Sequence, residues 1–298
     1  MVMKMKAFIA SVVLLFAFGA VAQDYTLHVD ESGQIIRDTF FFGPEKSKLM
    51  IIPFEPRLYR SHIDRQVGEY DGLNFQEIRG YFRLGLDNAL SLATKDEYAL
   101  VRMHADNADI NRDLDYIYKS VGYQYRTMPK PPEPPKKGLA KFGDKINKEV
   151  QKQVKKLEEP EPAPGARIEN GQVVSVPHKE ERFMAISLIN QDMFNYLTEK
   201  YGTGLYLFIT QLDMMNAPDQ DYTAFGSDNY EREIKIHFCI MTSDKKEVYA
   251  GAVKRRFSSR TNSIKKIIVE NFPPMAEQIK MYLPLILSPE NEKAAQVD

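Results

Sequence analysis

Three apolar runs follow one another between residues 205 and 257, and each has the pattern of a β-strand. Large apolar side chains occupy every second position of residues 234–240, which is the period of a strand with one buried face. A polar turn at residues 243–246 leads into the strand-forming residues 248–253. Residues 205–209 are continuously apolar, as in a strand that is covered on both faces. The pattern predicts three consecutive strands, of which the last two form a hairpin.

A strand, a helix and a second strand are predicted upstream. Residues 49–52 are apolar, and Pro53 ends the hydrogen-bonding ladder of this strand. A polar loop follows over residues 57–73, and then Asn74 and Glu77 stand at the spacing of a capping box at a helix start. The helix carries one apolar stripe of Phe75, Ile78, Phe82, Leu86, Ala89, Leu90 and Ala93. Residues 98–103 form the next strand, and the succession predicts that the two strands pair in parallel.

Two further helices complete the predicted order. Ile186, Ile189, Met193 and Leu197 have helical spacing, and Gly202 marks the helix end. A last helix begins at Thr261 or Asn262, carries Ile264, Ile267 and Ile268, and is interrupted at Pro273 and Pro274.

The order β-α-β-α-β-β-β-α predicts an α+β fold, in which helices pack on a mixed sheet of about five strands. We expect the strands near residues 49 and 100 to pair with the strand block at 205–257. One domain is then built from residues 48–128 and 183–287, with residues 129–182 inserted between its halves and a polar tail at 288–298.

The first 22 residues have the pattern of a cleaved secretory signal. Lys4 and Lys6 precede an apolar run over residues 7–21, and Ala20 and Ala22 are the small residues that signal peptidase requires. The run is shorter than the roughly 20 residues of a membrane-spanning helix, and the alternative is a retained N-terminal anchor. No cysteine lies near the cleavage point, so we expect an exported protein that is not a lipoprotein, with an N-terminal arm over residues 23–47. The net charge of −1 does not indicate nucleic acid.

The insertion at residues 129–182 is rich in proline, lysine and glutamate. Eight of the 17 prolines fall between residues 129 and 164, which is typical of stiff, extended spacers. Residues 138–159 nevertheless predict a basic amphipathic helix. Its candidate contacts with a partner protein or an anionic membrane surface are Phe142, Lys145, Ile146, Lys148, Val150, Lys152, Val154, Lys155 and Lys156. The alternative is that this helix docks on its own domain or is a solvated spacer.

A second basic candidate and one acidic candidate lie outside the insertion. Lys254, Arg255 and Arg256 at the end of the hairpin could bind an anionic partner, although such a run is also typical of a solvated strand end. Carboxylates at Asp106, Asp109 and Asp113, with His104, could serve acid–base chemistry in a loop over residues 105–115, or the loop is only polar.

No other residues form a recognisable catalytic, metal or cofactor motif. The five histidines are scattered without the spacing of a zinc site. Cys239 is the single cysteine, so it has no disulfide partner in the chain, and it lies on the strand face opposite the alternating apolar residues. We therefore expect no cofactor and no catalysis.

The element order resembles a family of periplasmic domains. The Ile-Ile-Pro-Phe strand end at residues 51–54, the helix at 74–93, the strand at 205–212 and the hairpin at 234–257 before a terminal helix are similar to the periplasmic domain of the curli secretion channel subunit CsgG. They also resemble the amino-terminal domain of TolB and the outer-membrane activators of penicillin-binding proteins. The resemblance implies a non-catalytic envelope domain.

Two departures limit what the resemblance implies. Many of these relatives carry a lipid-modified cysteine, which is missing here. The channel subunit inserts hairpins with about 9–11 alternating residues per strand, whereas this insertion is rich in proline and lysine. The resemblance therefore implies the domain without the pore.

These observations predict an accessory or assembly factor of the cell envelope, periplasmic or associated with the outer membrane. It would act through contacts with envelope proteins, with peripheral membrane contact at residues 138–159 and homo-oligomer formation left open. The alternatives are a periplasmic hydrolase or glycan-processing enzyme that uses the 105–115 carboxylates, and a periplasmic module that binds peptides or small molecules.

Overall fold

The computed structural model describes residues 35, 37, 39–41, 48–103, 107–128, 165–169, 172–176, 181–217 and 230–287. The strands in chain order are β1 (Thr39–Phe41), β2 (Lys48–Ile52), β3 (Tyr59–Ser61), β4 (Ala99–Arg102), β5 (Val121–Thr127), β6 (Gly165–Glu169), β7 (Gln172–Val176), β8 (Arg182–Leu188), β9 (Thr203–Asn216), β10 (Glu231–Thr242), β11 (Glu247–Ser258) and β12 (Leu285–Leu287). The helices are α1 (Asp64–Asp71), α2 (Phe75–Thr94), α3 (Ala108–Ser120), α4 (Met193–Tyr201) and α5 (Ile264–Lys280), and a 3₁₀ turn spans Pro56–Leu58.

A mixed six-stranded sheet forms the centre of the domain. Its strand order is β11-β10-β9-β2-β4, and β3 continues beside β9 beyond the end of β2. β2 is parallel to both β4 and β9, whereas β9, β10 and β11 are antiparallel. Leu49 of β2 lies opposite both Leu100 and Leu205. The predicted α+β class, the parallel pairing and the pairing across the insertion are confirmed.

Both faces of the sheet are buried, and the alternation of side chains along β2 shows how. Leu49 and Ile51 enter a core under α1, α2 and α5. Met50 and Ile52 enter a second core under α3, α4 and strands β5 and β8. A strand that is buried on both faces needs an apolar side chain at every position, which explains the continuous apolar run of β2 and the start of β9.

β5 and β8 form an antiparallel ribbon that packs over β9 and β10. The prediction of one helix over residues 184–201 is wrong in its first half, because residues 182–188 form β8 and only residues 193–201 are helical. The spacing of Ile186 and Ile189 suggested a helix, but Ile189 is 68% exposed and lies in the connection between strand and helix. Pairing with β5 therefore overrides the local helical pattern.

The predicted start of α2 and the predicted end of α4 agree with the structure, whereas the predicted start of α5 does not. Asn74 and Glu77 form the capping box at the start of α2, and Gly202 ends α4 with a φ of 65°. Phe75, assigned to the apolar stripe, is exposed because it occupies the first turn of the helix, outside the core. The cap of α5 is Ser263 rather than Thr261 or Asn262.

α5 also continues through Pro273 and Pro274, where an interruption was predicted. Pro273 is exposed, and Val269, four residues before it, is exposed as well. The carbonyl that loses its helical donor at Pro273 therefore lies on the solvent side, where water can bond it.

Several elements were not predicted. The polar loop over residues 57–73 contains β3 and α1, residues 108–115 of the loop assigned to 105–115 belong to α3, and β5 follows α3 directly. β6 and β7 pair with each other inside the insertion, and β1 of the arm pairs in parallel with β12. Within the described part of the chain, no helix is long and apolar enough to cross a bilayer. The signal segment, the helix predicted at 138–159, His104 and Asp106 lie outside the described residues.

Candidate partner-binding surface

The basic run on β11 does not form one cationic face. Lys254 and Arg256 lie on the ribbon side of the sheet, where Glu181 is 2.5 Å from the Lys254 ammonium and Glu231 is 3.4 Å from the Arg256 guanidinium. Arg255 lies on the other face and donates to the side-chain oxygen of Asn271 at 3.1 Å. The alternation of a strand thus separates these three charges.

The acidic candidates are also separated, because they lie on α3 rather than in a loop. Asp109 is on the exposed surface and pairs with Arg112. Asp113 is buried and accepts hydrogen bonds from Lys200 at 2.6 Å, from Tyr196 at 2.9 Å and from Tyr201. Although burial opposes ionisation, these three donors hold the pKa of Asp113 below its usual value. Asp113 therefore anchors α4 to α3 and is poorly suited to proton transfer.

His237 and Cys239 project from β10 towards the ribbon and bond the free edge of β8. The Met184 amide donates to Nδ1 of His237 at 2.9 Å, and the Ile186 amide donates to Sγ of Cys239 at 3.4 Å. Nδ1 accepts, so Nε2 carries the proton and donates to Asp213 at 3.1 Å. Burial lowers the pKa of His237 and raises the pKa of Cys239 to about 12. Both side chains are occupied in holding β8, and neither has an atom free to act as a base or nucleophile.

Arginine and tyrosine side chains gather where β2 ends. The chain leaves β2 towards α1 and α2 on one face of the sheet, and it leaves β4 towards α3 on the other face. Open α/β sheets bind ligands at the strand ends where successive connections diverge in this way. We call the group at this place the arginine–tyrosine surface, and it consists of Arg57, Arg60, Arg79, Arg83, Tyr118, Tyr123 and Tyr125.

The helix side of the arginine–tyrosine surface is fixed to the backbone that follows β2. Arg83 of α2 donates to the carbonyl of Phe54 at 3.1 Å and to the Tyr118 hydroxyl at 2.9 Å. The Tyr118 hydroxyl in turn donates a hydrogen bond to the carbonyl of Pro53 at 2.7 Å. One turn earlier in α2, Arg79 donates a long bond of 3.5 Å to the carbonyl of Pro56. The strand end therefore lies against two guanidinium groups.

The ribbon side is formed by alternate residues of β5. The guanidinium of Arg57 lies 5.9 Å from the centre of the Tyr123 ring and 2.7 Å from a carboxylate oxygen of Glu55. Arg60 donates to the Tyr125 hydroxyl at 3.1 Å, and this hydroxyl donates to Gln211 at 3.0 Å. Because Arg57 and Arg60 are both exposed and the Tyr125 ring is 38% exposed, this side of the surface faces solvent.

The arginine–tyrosine surface has an excess of positive charge. Arg60, Arg79 and Arg83 donate only to carbonyl and hydroxyl oxygens, and no carboxylate in the described ranges forms a salt bridge with them. Burial raises the pKa of Tyr118 to about 12, and it also raises the pKa of Tyr123, so these phenols stay neutral near pH 7. Such an arrangement can bind an anion through paired N–H groups.

A narrow crevice lies between α2 and the sheet, beside Arg83, and its lining includes Pro53, Phe54, Leu86 and Asp87. Among residues that the structure describes, no three His, Cys, Asp or Glu side chains are grouped to hold a metal ion. The arginine–tyrosine surface was not predicted from the sequence, although the four-residue spacing of Arg79 and Arg83 and the two-residue spacing of Tyr123 and Tyr125 are visible there. The tyrosine spacing indicates a shared face only after residues 121–127 are known to be a strand, and the spacing of the two arginines on α2 does not show that this strand lies beside them.

A comparison with protein-family models and with curated protein sequences finds no match. The resemblance to the periplasmic domain of the curli channel subunit therefore stays a prediction.

Proposed function

We propose that the protein is an exported accessory or assembly factor of the cell envelope, and that it acts by binding other proteins through the arginine–tyrosine surface without catalysing a reaction. The observation that carries the proposal is the group of guanidiniums of exposed Arg60 and half-buried Arg79 and Arg83, which have only neutral hydrogen-bond acceptors among the described residues. The signal pattern at residues 1–22 supports the export.

The composition of this surface suits protein recognition. Arginine and tyrosine are enriched at protein interfaces and among the residues that contribute most to binding energy. Tyr125 presents a rigid ring that loses little conformational entropy on binding. By contrast, the side chains with catalytic potential are engaged in the fold, since His237 and Cys239 bond β8 and Asp113 accepts from three donors.

Site-specific photocrosslinking in cells that export the chain tests the proposal. A benzophenone amino acid replaces Tyr125 on the proposed surface or, as a control, Tyr70 on α1, which is also exposed. We expect a discrete protein adduct from position 125 and none from position 70, and we expect Arg57→Glu to weaken it. Equal adducts at both positions, or none at position 125, would overturn the proposal.

A further inference from the structure

We infer that the arginine–tyrosine surface binds a carboxylate-rich peptide segment of its protein partner. This inference rests on the proposed function, because it takes the surface to be the partner site. It adds the chemistry of the segment that is recognised.

The guanidiniums of Arg60 and Arg79 have N–H donors that make no hydrogen bond to the described residues. A guanidinium has five N–H donors, and within the described ranges Arg60 uses one of them and Arg79 uses one. The planar fork of an arginine matches a carboxylate with two parallel hydrogen bonds. These two residues can therefore accept further oxygen ligands without losing the bonds that position them.

The guanidiniums are also held in place before any partner arrives. Arg83 is fixed by Phe54 and Tyr118, and Arg60 is fixed by Tyr125. Tyr125 is in turn fixed by Gln211 on β9. Binding then costs less side-chain entropy than binding to free surface arginines.

The neighbouring acids are already committed to other partners. Glu55 is paired with Arg57, and Asp213 accepts from Gln211 at 2.6 Å and from His237. Asp213 lies opposite Arg60 in the β3–β9 pairing but forms no salt bridge with it, and no acid in the part of the chain that the structure describes forms one with Arg60, Arg79 or Arg83. A carboxylate of a partner can therefore form a salt bridge with each of these guanidiniums.

Two features favour a peptide over a small inorganic anion. The cations are spread over β3 and α2 rather than converging on one point, so several carboxylates along a chain can each meet one arginine. The Tyr125 ring is 38% exposed, its hydroxyl bonds Arg60 and the Arg182 guanidinium lies 5.5 Å from its centre, so the remaining exposed part of the ring offers apolar contact to a peptide beside these cations. A phosphate ion would use neither feature.

Fluorescence anisotropy with a labelled peptide of alternating glutamate and glycine tests the inference on the full chain. The same peptide with glutamine in place of glutamate is the neutral control. We expect the glutamate peptide to bind, to bind more weakly as salt is raised, and to bind at least tenfold more tightly than the glutamine peptide. Equal binding of the two peptides would sink the inference, as would competition by inorganic phosphate at equal charge concentration.

Variants assign the binding to the surface. We expect Arg60→Gln and Arg79→Gln each to weaken binding of the glutamate peptide about fivefold to tenfold. Arg65→Gln is the matched control, because Arg65 is an exposed arginine on α1 that is paired with Glu69 at 2.9 Å. Unchanged affinity in both site variants, or an equal loss in Arg65→Gln, would overturn the assignment.

Two further comparisons keep the outcomes separate. Should Arg79→Gln unfold, the exposed residues Arg57 and Arg60 carry the same test with less risk to the fold. If the crosslinked adduct at position 125 persists while the glutamate peptide fails to bind, the acidic-segment inference fails and the proposed function stands. If the adduct is also lost, both fail.

Discussion

At the scale of single residues, His237 has a protonation state that the fold dictates. Its Nδ1 accepts the Met184 amide, and its Nε2 donates to Asp213, so both nitrogens are used in the neutral form. Protonation would put a hydrogen on Nδ1, facing the amide hydrogen of Met184. The charged groups that face the ring are Asp213 of β9, Lys235 of β10 and Arg60 of β3. The two cations oppose protonation together with burial, and Asp213 favours it.

The lowered pKa of His237 predicts that the folded protein loses stability in acid. Its folded pKa lies below the unfolded value of about 6.5, so its contribution is complete above that value and is lost as pH falls towards the folded pKa. The free energy of unfolding should fall by at most about 1.4 kcal/mol per pH unit from this one group. Urea unfolding between pH 7.5 and 5 measures it.

The matched variant is His237→Asn, whose side-chain oxygen can still accept the Met184 amide but does not titrate. We expect a shallower acid dependence in this variant than in the wild type. Identical slopes would show that other groups cause the acid loss.

For His237 and Cys239, the sequence indicates the face of β10 on which they lie but not the groups that they bond. The alternation along β10 placed Cys239 on the face away from the main apolar stripe, and in the structure this face is covered, since Cys239 is fully buried. Which amides His237 and Cys239 would bond was not predictable, because β8 is 53 positions away in the chain. The bonds follow from how the ribbon docks, and no local pattern encodes that.

At the scale of elements, α2 and α5 approach closely at Gly85. A Cβ atom at position 85 would lie 2.8 Å from Cγ2 and 2.9 Å from Cδ1 of Ile268. Overpacking costs about 1–3 kcal/mol, whereas alanine for glycine inside a helix gains about 1 kcal/mol. We therefore expect Gly85→Ala to lower the free energy of unfolding by about 1 kcal/mol in chemical denaturation.

Gly80 is the control in the same helix, because a Cβ atom there meets nothing within 4 Å. Gly80→Ala should stabilise the protein. In an Ile268→Ala background the contact is gone, and Gly85→Ala should then stabilise it too. A double-mutant cycle without coupling between positions 85 and 268 would contradict the close approach.

Local signals predicted α2 well and β8 badly, for a physical reason. The start of α2 depends on Asn74 and Glu77, which satisfy the first amides from within the same turn. β8 depends on strand β5, which lies more than fifty residues earlier, and its residues fit a helical spacing equally well. α3 was missed because its polar first turn resembles a loop, although Asn107 accepts the Asp109 amide as a cap.

At the scale of the whole molecule, Arg37 ties the N-terminal arm to the end of the domain. It donates to the carbonyl of Leu283 at 2.7 Å and to the Tyr98 hydroxyl at 2.6 Å, and it pairs with Glu97 at 2.7 Å. Hydrogen bonds from a charged group are worth about 1.5–3 kcal/mol. We expect Arg37→Ala to speed amide exchange at residues 285–287 about tenfold or more, a loss of about 1.4 kcal/mol.

Lys280→Ala is the comparison, because Lys280 pairs with Glu97 at 2.8 Å but has no bond to the carbonyl of Leu283. It should leave exchange at β12 nearly unchanged. Equal acceleration in both variants would mean that Glu97, rather than the arm, holds the C-terminal strand.

Five of the six strands of the sheet could be predicted from the sequence, but the arginine–tyrosine surface could not. A strand buried on both faces, such as β2, has to lie at the centre of a sheet, so its partners could be sought on both sides of the insertion. The arginine–tyrosine surface instead draws on the 3₁₀ turn, β3, α2, α3 and β5. Its members become neighbours only after all of these elements have packed, and residues at such distances leave no periodic trace in a sequence.

The hydrogen bond that closes the ribbon has a consequence for how the chain can be altered. The Met128 amide donates to the carbonyl of Glu181 at 2.8 Å, beside the last β5–β8 pair at Thr127 and Arg182. The chain thus leaves the domain and returns to it at one point, so the 52 intervening residues are, in topology, the loop of a hairpin. The entropy cost of closing a loop grows only slowly with its length. We therefore expect segments of very different length to be tolerated between residues 128 and 181 without a change in the strand order of the sheet.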